Sequence, residues 1–161
     1  MRKYKIAIII TVMTVLTAAA YHSLCWAQDQ TPTTASATPQ KQQNFLFKLT
    51  HFTDNLHAVM MTFGMANGLL AQGQKVTILL VMDGAQLANK SQPLNLQWGN
   101  KEHDLAFMYD EFMKNGGKIY ACPSCSNVLG IDASNLRPGI TLAEKGVIPT
   151  LLIDADKVID Y

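Results

Sequence analysis

Cys122 and Cys125, three positions apart, are the most nucleophilic side chains in this sequence beyond its first 27 residues. A thiolate attacks soft electrophiles such as sulfur, and a second thiol one helical turn away can resolve what the first captures. The run Lys118 to Ala121 ahead of them reads as a strand, and Pro123 suits the first turn of a helix. Cys122 would then stand at a strand end before a helix N-terminus, where free amides favour the thiolate and lower its pKa. Cys125, one turn on, can serve as a resolving thiol or close a structural disulfide with Cys122. Both readings stay open at this point.

Three further polar side chains, His51, Asp54 and His57, follow the apolar run Phe45 to Leu49. They can orient a substrate or supply a base, although Asp54 also reads as an N-cap for the helix that follows. Asp83 closes the run Val76 to Met82, where Asp83-Gly84 also suits a plain turn. A zinc site would need the histidine and cysteine groups to converge, and the chain lacks the paired spacing of structural zinc motifs. No metal and no other cofactor is expected. Met60, Met61, Met65, Met108 and Met113 lie mainly on apolar helix faces and read as core filler. Trp98 and His103 receive no role from sequence.

The elements that must position these groups alternate. Phe45 to Leu49 predicts a buried strand. Leu56, Val59, Met60, Phe63 and Leu70 recur at helical spacing, with Gly73 as the stop and Thr53 or Asp54 as the cap. Val76 to Met82 is almost continuously apolar, as in a central parallel strand covered on both faces. Leu105, Met108, Tyr109, Phe112 and Met113 form a second helical stripe, stopped by Asn115-Gly116-Gly117. After the cysteines come one or two helical turns from Ser124 to Leu129, then a weak strand from Ile140 to Ala143. A short helix near Pro149 and a final strand from Lys157 to Tyr161 complete the order βαβαβαβαβ. That order predicts a three-layer α/β/α domain with a mostly parallel five-stranded sheet. In such sheets ligands bind beyond the carboxyl ends of the strands. His51, Asp54, His57, Asp83, Cys122 and Cys125 all follow such ends.

Arg2, Lys3 and Lys5 precede an uncharged apolar run, Ile6 to Ala20, and Cys25-Trp26-Ala27 offers small residues at a peptidase site. Residues 1–27 are therefore expected to be an export signal cleaved before Gln28. The alternative is an uncleaved anchor, since a spanning helix needs roughly 20 apolar residues. Bulky Leu24 disfavours a lipoprotein site at Cys25. Either way the rest of the chain is expected outside the cytoplasmic membrane, in a bacterial periplasm or its equivalent. Residues 28–44 are rich in Thr, Gln and Pro without a large apolar side chain, and read as a disordered spacer. The domain is expected over 45–161. Without the leader's three cations, ten basic residues face twelve acidic ones, a balance of −2. Nucleic acid, which requires clustered Lys and Arg, is not an expected partner.

A CPSC motif between a strand and a helix is also the local signature of thioredoxin. The spacing rejects that fold. Only 23 residues separate Cys125 from Pro149, interrupted by Gly130, Pro138, Gly139 and Gly146. The order of motifs instead resembles the DsrE/DsrF-like family over about 45–161. Gly73-Gln74-Lys75-Val76 leads to Met82-Asp83-Gly84-Ala85, and Gly116-Gly117-Lys118-Ile119-Tyr120-Ala121 runs into Cys122-Pro123-Ser124-Cys125, with Gly130 following. Leu136-Arg137-Pro138-Gly139-Ile140 and Asp156-Lys157-Val158-Ile159 complete the likeness. The resemblance implies a three-layer fold, homo-oligomers such as trimers or hexamers, and a sulfur donor or acceptor protein as partner. It also implies that Cys122 carries sulfane sulfur as a persulfide, as the equivalent cysteine does in sulfur-relay members. Two features depart from the family: the leader, and Val128-Leu129 where many members carry a polar side chain. The function expected is a persulfide carrier or sulfurtransferase. The alternatives are a non-catalytic oligomeric binding protein with a Cys122–Cys125 disulfide, or a thiol–disulfide oxidoreductase.

N-terminal sequencing of the extracytoplasmic protein is expected to begin at Gln28. Recovery of intact Met1 in the membrane fraction would replace cleavage with the anchored form.

Overall fold

The computed structural model describes residues 41–99 and 102–161. The expected leader, and the expected spacer up to residue 40, lie outside the described residues. Five strands, β1 (Asn44–Leu49), β2 (Lys75–Leu80), β3 (Lys118–Ala121), β4 (Ile140–Leu142) and β5 (Lys157–Asp160), form one sheet in the order β4-β3-β2-β1-β5. Every pairing is parallel. Four α-helices connect them: α1 (Leu56–Ala71), α2 (Leu105–Lys114), α3 (Pro123–Val128) and α4 (Val147–Asp154). Two 3₁₀ segments, Thr53–Asn55 and Met82–Ala88, follow β1 and β2.

Register explains the core. Ile140, Ile119, Ile78, Phe47 and Ile159 are paired in turn from β4 to β5, so one apolar row crosses all five strands. Paired residues in a parallel sheet point to the same face, and α1 and α2 cover this one. Val59, Phe63 and Ala66 of α1 and Leu105 and Phe112 of α2 are wholly buried against it. The Phe63 and Phe112 rings meet edge to face, 5.7 Å apart, a favoured aromatic geometry. On the opposite face Leu46 and Leu79 are buried. The chain turns from β4 back across the sheet to β5, which under right-handed crossover places α4 on that face. Helix α4 touches β1 but contains no buried residue.

Several local expectations are corrected. Helix α1 is capped by Asn55, whose Oδ1 accepts from the Ala58 amide at 3.2 Å, and not by Thr53 or Asp54. Strand β2 ends at Leu80, two residues early, because Met82 turns into the left-handed region at φ 52°. Gln42 and Gln43, read as spacer, are tied to the domain. The Gln42 side chain donates to Gly73 O at 2.8 Å, and the Gln43 amide donates to Gln74 Oε1 at 2.7 Å.

One close approach fixes the upper rim of the sheet. The Val81 amide donates to Leu49 O and the Gly84 amide to Thr50 O, each at 3.0 Å. A Cβ on Gly84 would lie 2.2 Å from Leu49 O. Only glycine lets the Met82–Ala88 segment cross the end of β1 at this distance. Gly84→Ala is expected to lower the free energy of unfolding by about 2–3 kcal/mol, the scale of core overpacking. Gly68→Ala, in α1 with open space beyond it, is expected to raise stability by about 0.5–1 kcal/mol. Urea unfolding of both variants checks the contrast.

Candidate functional site

The rim at the carboxyl ends of β1, β2 and β3 carries two separate polar groups. At the end of β3, the Cys122 amide still donates to Leu80 O at 2.9 Å, so Cys122 prolongs the strand before serving as the N-cap residue of α3. Pro123 occupies the first helical position, where its missing amide is no loss. The Cys122 side chain makes no capping hydrogen bond to the first-turn amides, and α3 is only six residues long. Both thiols are free and half-buried.

Cys125 lies one turn on, facing the start of the Met82–Ala88 segment. The Met82 amide donates to Cys125 Sγ at 3.2 Å. Burial pushes the Cys125 thiol above its ordinary pKa, the neighbouring Cys122 thiol adds to the rise, and the Met82 amide opposes it. Cys125 therefore keeps its proton at neutral pH. A positive φ is uncommon for a residue with a side chain and costs on the order of 1–2 kcal/mol. Here it aims the Met82 amide at sulfur.

Met82, Asp83, Ser124, Cys125, Val128 and Leu129 line a shallow cleft of about 360 Å³. Its lips are apolar: Met82 is 65 % exposed and Val128 84 %. Of the predicted supporting residues, Asp83 is the one that shares this cleft with Cys125. The Asp83 carboxylate accepts from Gln86 Nε2 at 3.3 Å.

His51 and Asp54 form their own pair. His51 Nδ1 and Asp54 Oδ2 are 2.5 Å apart, and the Phe52 amide donates to Asp54 Oδ1 at 2.8 Å. The His51 hydrogen bond, followed by that amide, holds the Asp54 carboxyl below its usual range. The pair follows β1, two strands from the cysteines, or about 10 Å at ordinary sheet spacing. It stands at the β1–β5 boundary, where the strand order reverses. His57 goes elsewhere: its ring stacks on Trp98, with centroids 3.7 Å apart and planes 6° from parallel. Among the described residues no three His, Cys, Asp or Glu side chains converge to hold a metal ion. Met82, Ser124, Val128 and Leu129 were not marked as site residues by sequence. Met82 joins the cleft through a main-chain turn that no local motif announces.

Residues 34–161 match the sequence profile described as the DsrE/DsrF-like family. An uncharacterized protein of Methanocaldococcus jannaschii, MJ0760, is 33 % identical over 97 residues, or 56 % of this chain. The match covers 33 % of that relative's own length. Among solved structures, the ychN protein of E. coli superposes with a TM-score of 0.61 at 15 % identity, covering 74 % of this chain and 99 % of that one. MTH1491 of Methanobacterium thermoautotrophicum, of unknown function, gives 0.58 at 14 % identity, with 74 % and 100 % covered. BT1422 of Bacteroides thetaiotaomicron, also of unknown function, gives 0.51 at 21 %, with 73 % and 94 % covered. At these identities the structural likeness is one of fold. Combined with the profile match across most of the sequence, it leads to one conclusion: the chain belongs to the DsrE/DsrF-like family.

Proposed function

We propose that this protein is an extracytoplasmic sulfane-sulfur carrier or sulfurtransferase whose nucleophile is Cys122. The observation that carries this reading is the geometric asymmetry of the thiol pair: Cys125 accepts the Met82 amide beside an open apolar cleft, whereas Cys122 stands at the end of β3 with no capping hydrogen bond. Family membership supports a sulfur-relay setting. Self-association and a protein donor or acceptor belong to the same reading.

The chemistry balances without an added oxidant. The Cys122 thiolate attacks the outer sulfur of a persulfide R–S–SH, the S–S bond breaks, and R–S⁻ leaves with its electron pair. Cys122 then carries –S–SH. An acceptor thiolate attacks that terminal sulfur, and Cys122 departs as thiolate. A competing step has the Cys125 thiolate attack the inner sulfur, releasing HS⁻ and closing the Cys122–Cys125 disulfide. There the sulfane sulfur is reduced as the two thiols are oxidised. Because burial keeps Cys125 protonated, this discharge is slowed and the persulfide persists for transfer.

After exposure to polysulfide, the Cys122 peptide is expected to gain about 32 Da, one sulfur atom. Cys122→Ser should abolish the gain, whereas Cys125→Ser should retain it and lengthen its lifetime. A structural disulfide instead predicts equal losses of unfolding free energy in both variants, about 2 kcal/mol or less for so short a loop. Equal losses with no sulfur loading would overturn the carrier reading.

Cys125 has a second, pH-dependent signature. Its raised pKa means that the folded chain releases this proton at higher pH than the unfolded chain. The stability it contributes is complete below the ordinary thiol value and erodes as pH rises through the folded value. Alkylation of Cys125, followed by mass spectrometry against pH, is expected to reach half its maximal rate above the usual thiol range. Cys122→Ala should move that midpoint downward, since it removes a neighbour that favours the protonated form.

A further inference from the structure

Trp98 and His103, which sequence left without a role, meet methionines read as core filler on the outer side of α1 and α2. Met60, Met61, Gly64, Trp98, Glu102, His103 and Met108 line a second pocket of about 420 Å³. Two of its rings are pre-set by neighbours: Trp98 by the parallel stack on His57, and His103 by Phe107 at 3.8 Å and 18°. Gly64 opens the pocket between the thioethers, because a Cβ there would touch only the Met108 methyl, at 3.5 Å.

Size and wall chemistry decide what fits. A bare metal ion would leave most of 420 Å³ unfilled, whereas small-molecule sites run from about 300 to 1,000 Å³. Three thioethers and an indole give a polarizable wall suited to an apolar body. Among the described lining residues Glu102 carries the one formal charge, and it is negative. An indole face and a carboxylate together attract an onium group, as in aromatic recognition of quaternary ammonium. We propose that this pocket binds a compact organic cation, with an apolar body against Met60, Met61 and Met108 and a cationic head between Trp98 and Glu102. The site is separate from the thiols and independent of the sulfur chemistry.

The test titrates the full chain with benzyltrimethylammonium and with neopentylbenzene, its uncharged carbon isostere, by ligand-observed NMR. Saturable binding that favours the cation is expected. Glu102→Gln, at an exposed position that should fold normally, is expected to weaken the cation by roughly three- to fivefold, the scale of one exposed charge pair, and to leave the isostere unchanged. Gly64→Leu, which fills the pocket while improving helix propensity, is expected to remove binding of both. Equal affinity for the two probes, cation binding indifferent to Glu102→Gln, or no saturable binding would each overturn the proposal.

Discussion

The upper rim of this domain depends on the passage of the Met82–Ala88 segment across the end of β1. Leu49 O and Thr50 O accept amides from Val81 and Gly84, and Gly84 has no Cβ to block the approach. That contact over-determines the backbone at Met82, which accepts a left-handed conformation. A strained residue persists only where its surroundings leave it little choice. The consequence is chemical, because the turned amide of Met82 is the one that reaches Cys125. A steric allowance at one glycine thus sets the backbone amide that meets a thiol beyond the neighbouring strand.

Parallel pairing determines what the rim can bring together. With the order β4-β3-β2-β1-β5, the cysteines follow β3 while His51 and Asp54 follow β1. Strand β2 and its 3₁₀ segment stand between them. The His51–Asp54 pair is therefore not a base for Cys122 by direct contact, and Asp83, after β2, is the carboxylate that shares a cleft with Cys125. The reversal in strand order lies at β1–β5, where open α/β sheets commonly form a crevice. Cys125 sits away from it, in a shallow cleft whose apolar lips lie open to approach, with Cys122 one turn earlier at the end of β3.

The paired thiols also differ in how the protein treats them. Cys125 is raised by burial and by its neighbour, and steadied by one amide. Cys122 prolongs β3 and receives no cap hydrogen bond from the short helix it precedes. Under the proposed reading, the second thiol of such an arrangement is a slow resolver. That suits storage of a labile sulfur more than rapid disulfide exchange, where an attacking thiol with a pKa near ambient pH is favoured.

Much of this was legible in the sequence because it rests on local pattern. The period of apolar residues gave the element order. Lys118 to Ala121 formed the strand expected of it, Pro123 opened α3, and Gly73 and Gly116 adopted the positive φ that ends a helix. The motif order sufficed for the family. What tertiary structure alone decided concerns residues far apart in the chain. Strand order separated His51 and Asp54 from the cysteines, and the His57 ring stacks on Trp98. Asp54 lost its capping role because His51 and the Phe52 amide offered its carboxylate a denser set of donors. The Met82 amide at Cys125, and the pocket of methionines beside Trp98, arise from packing between segments. Periodicity reports which face of an element is buried, but not which other element covers it.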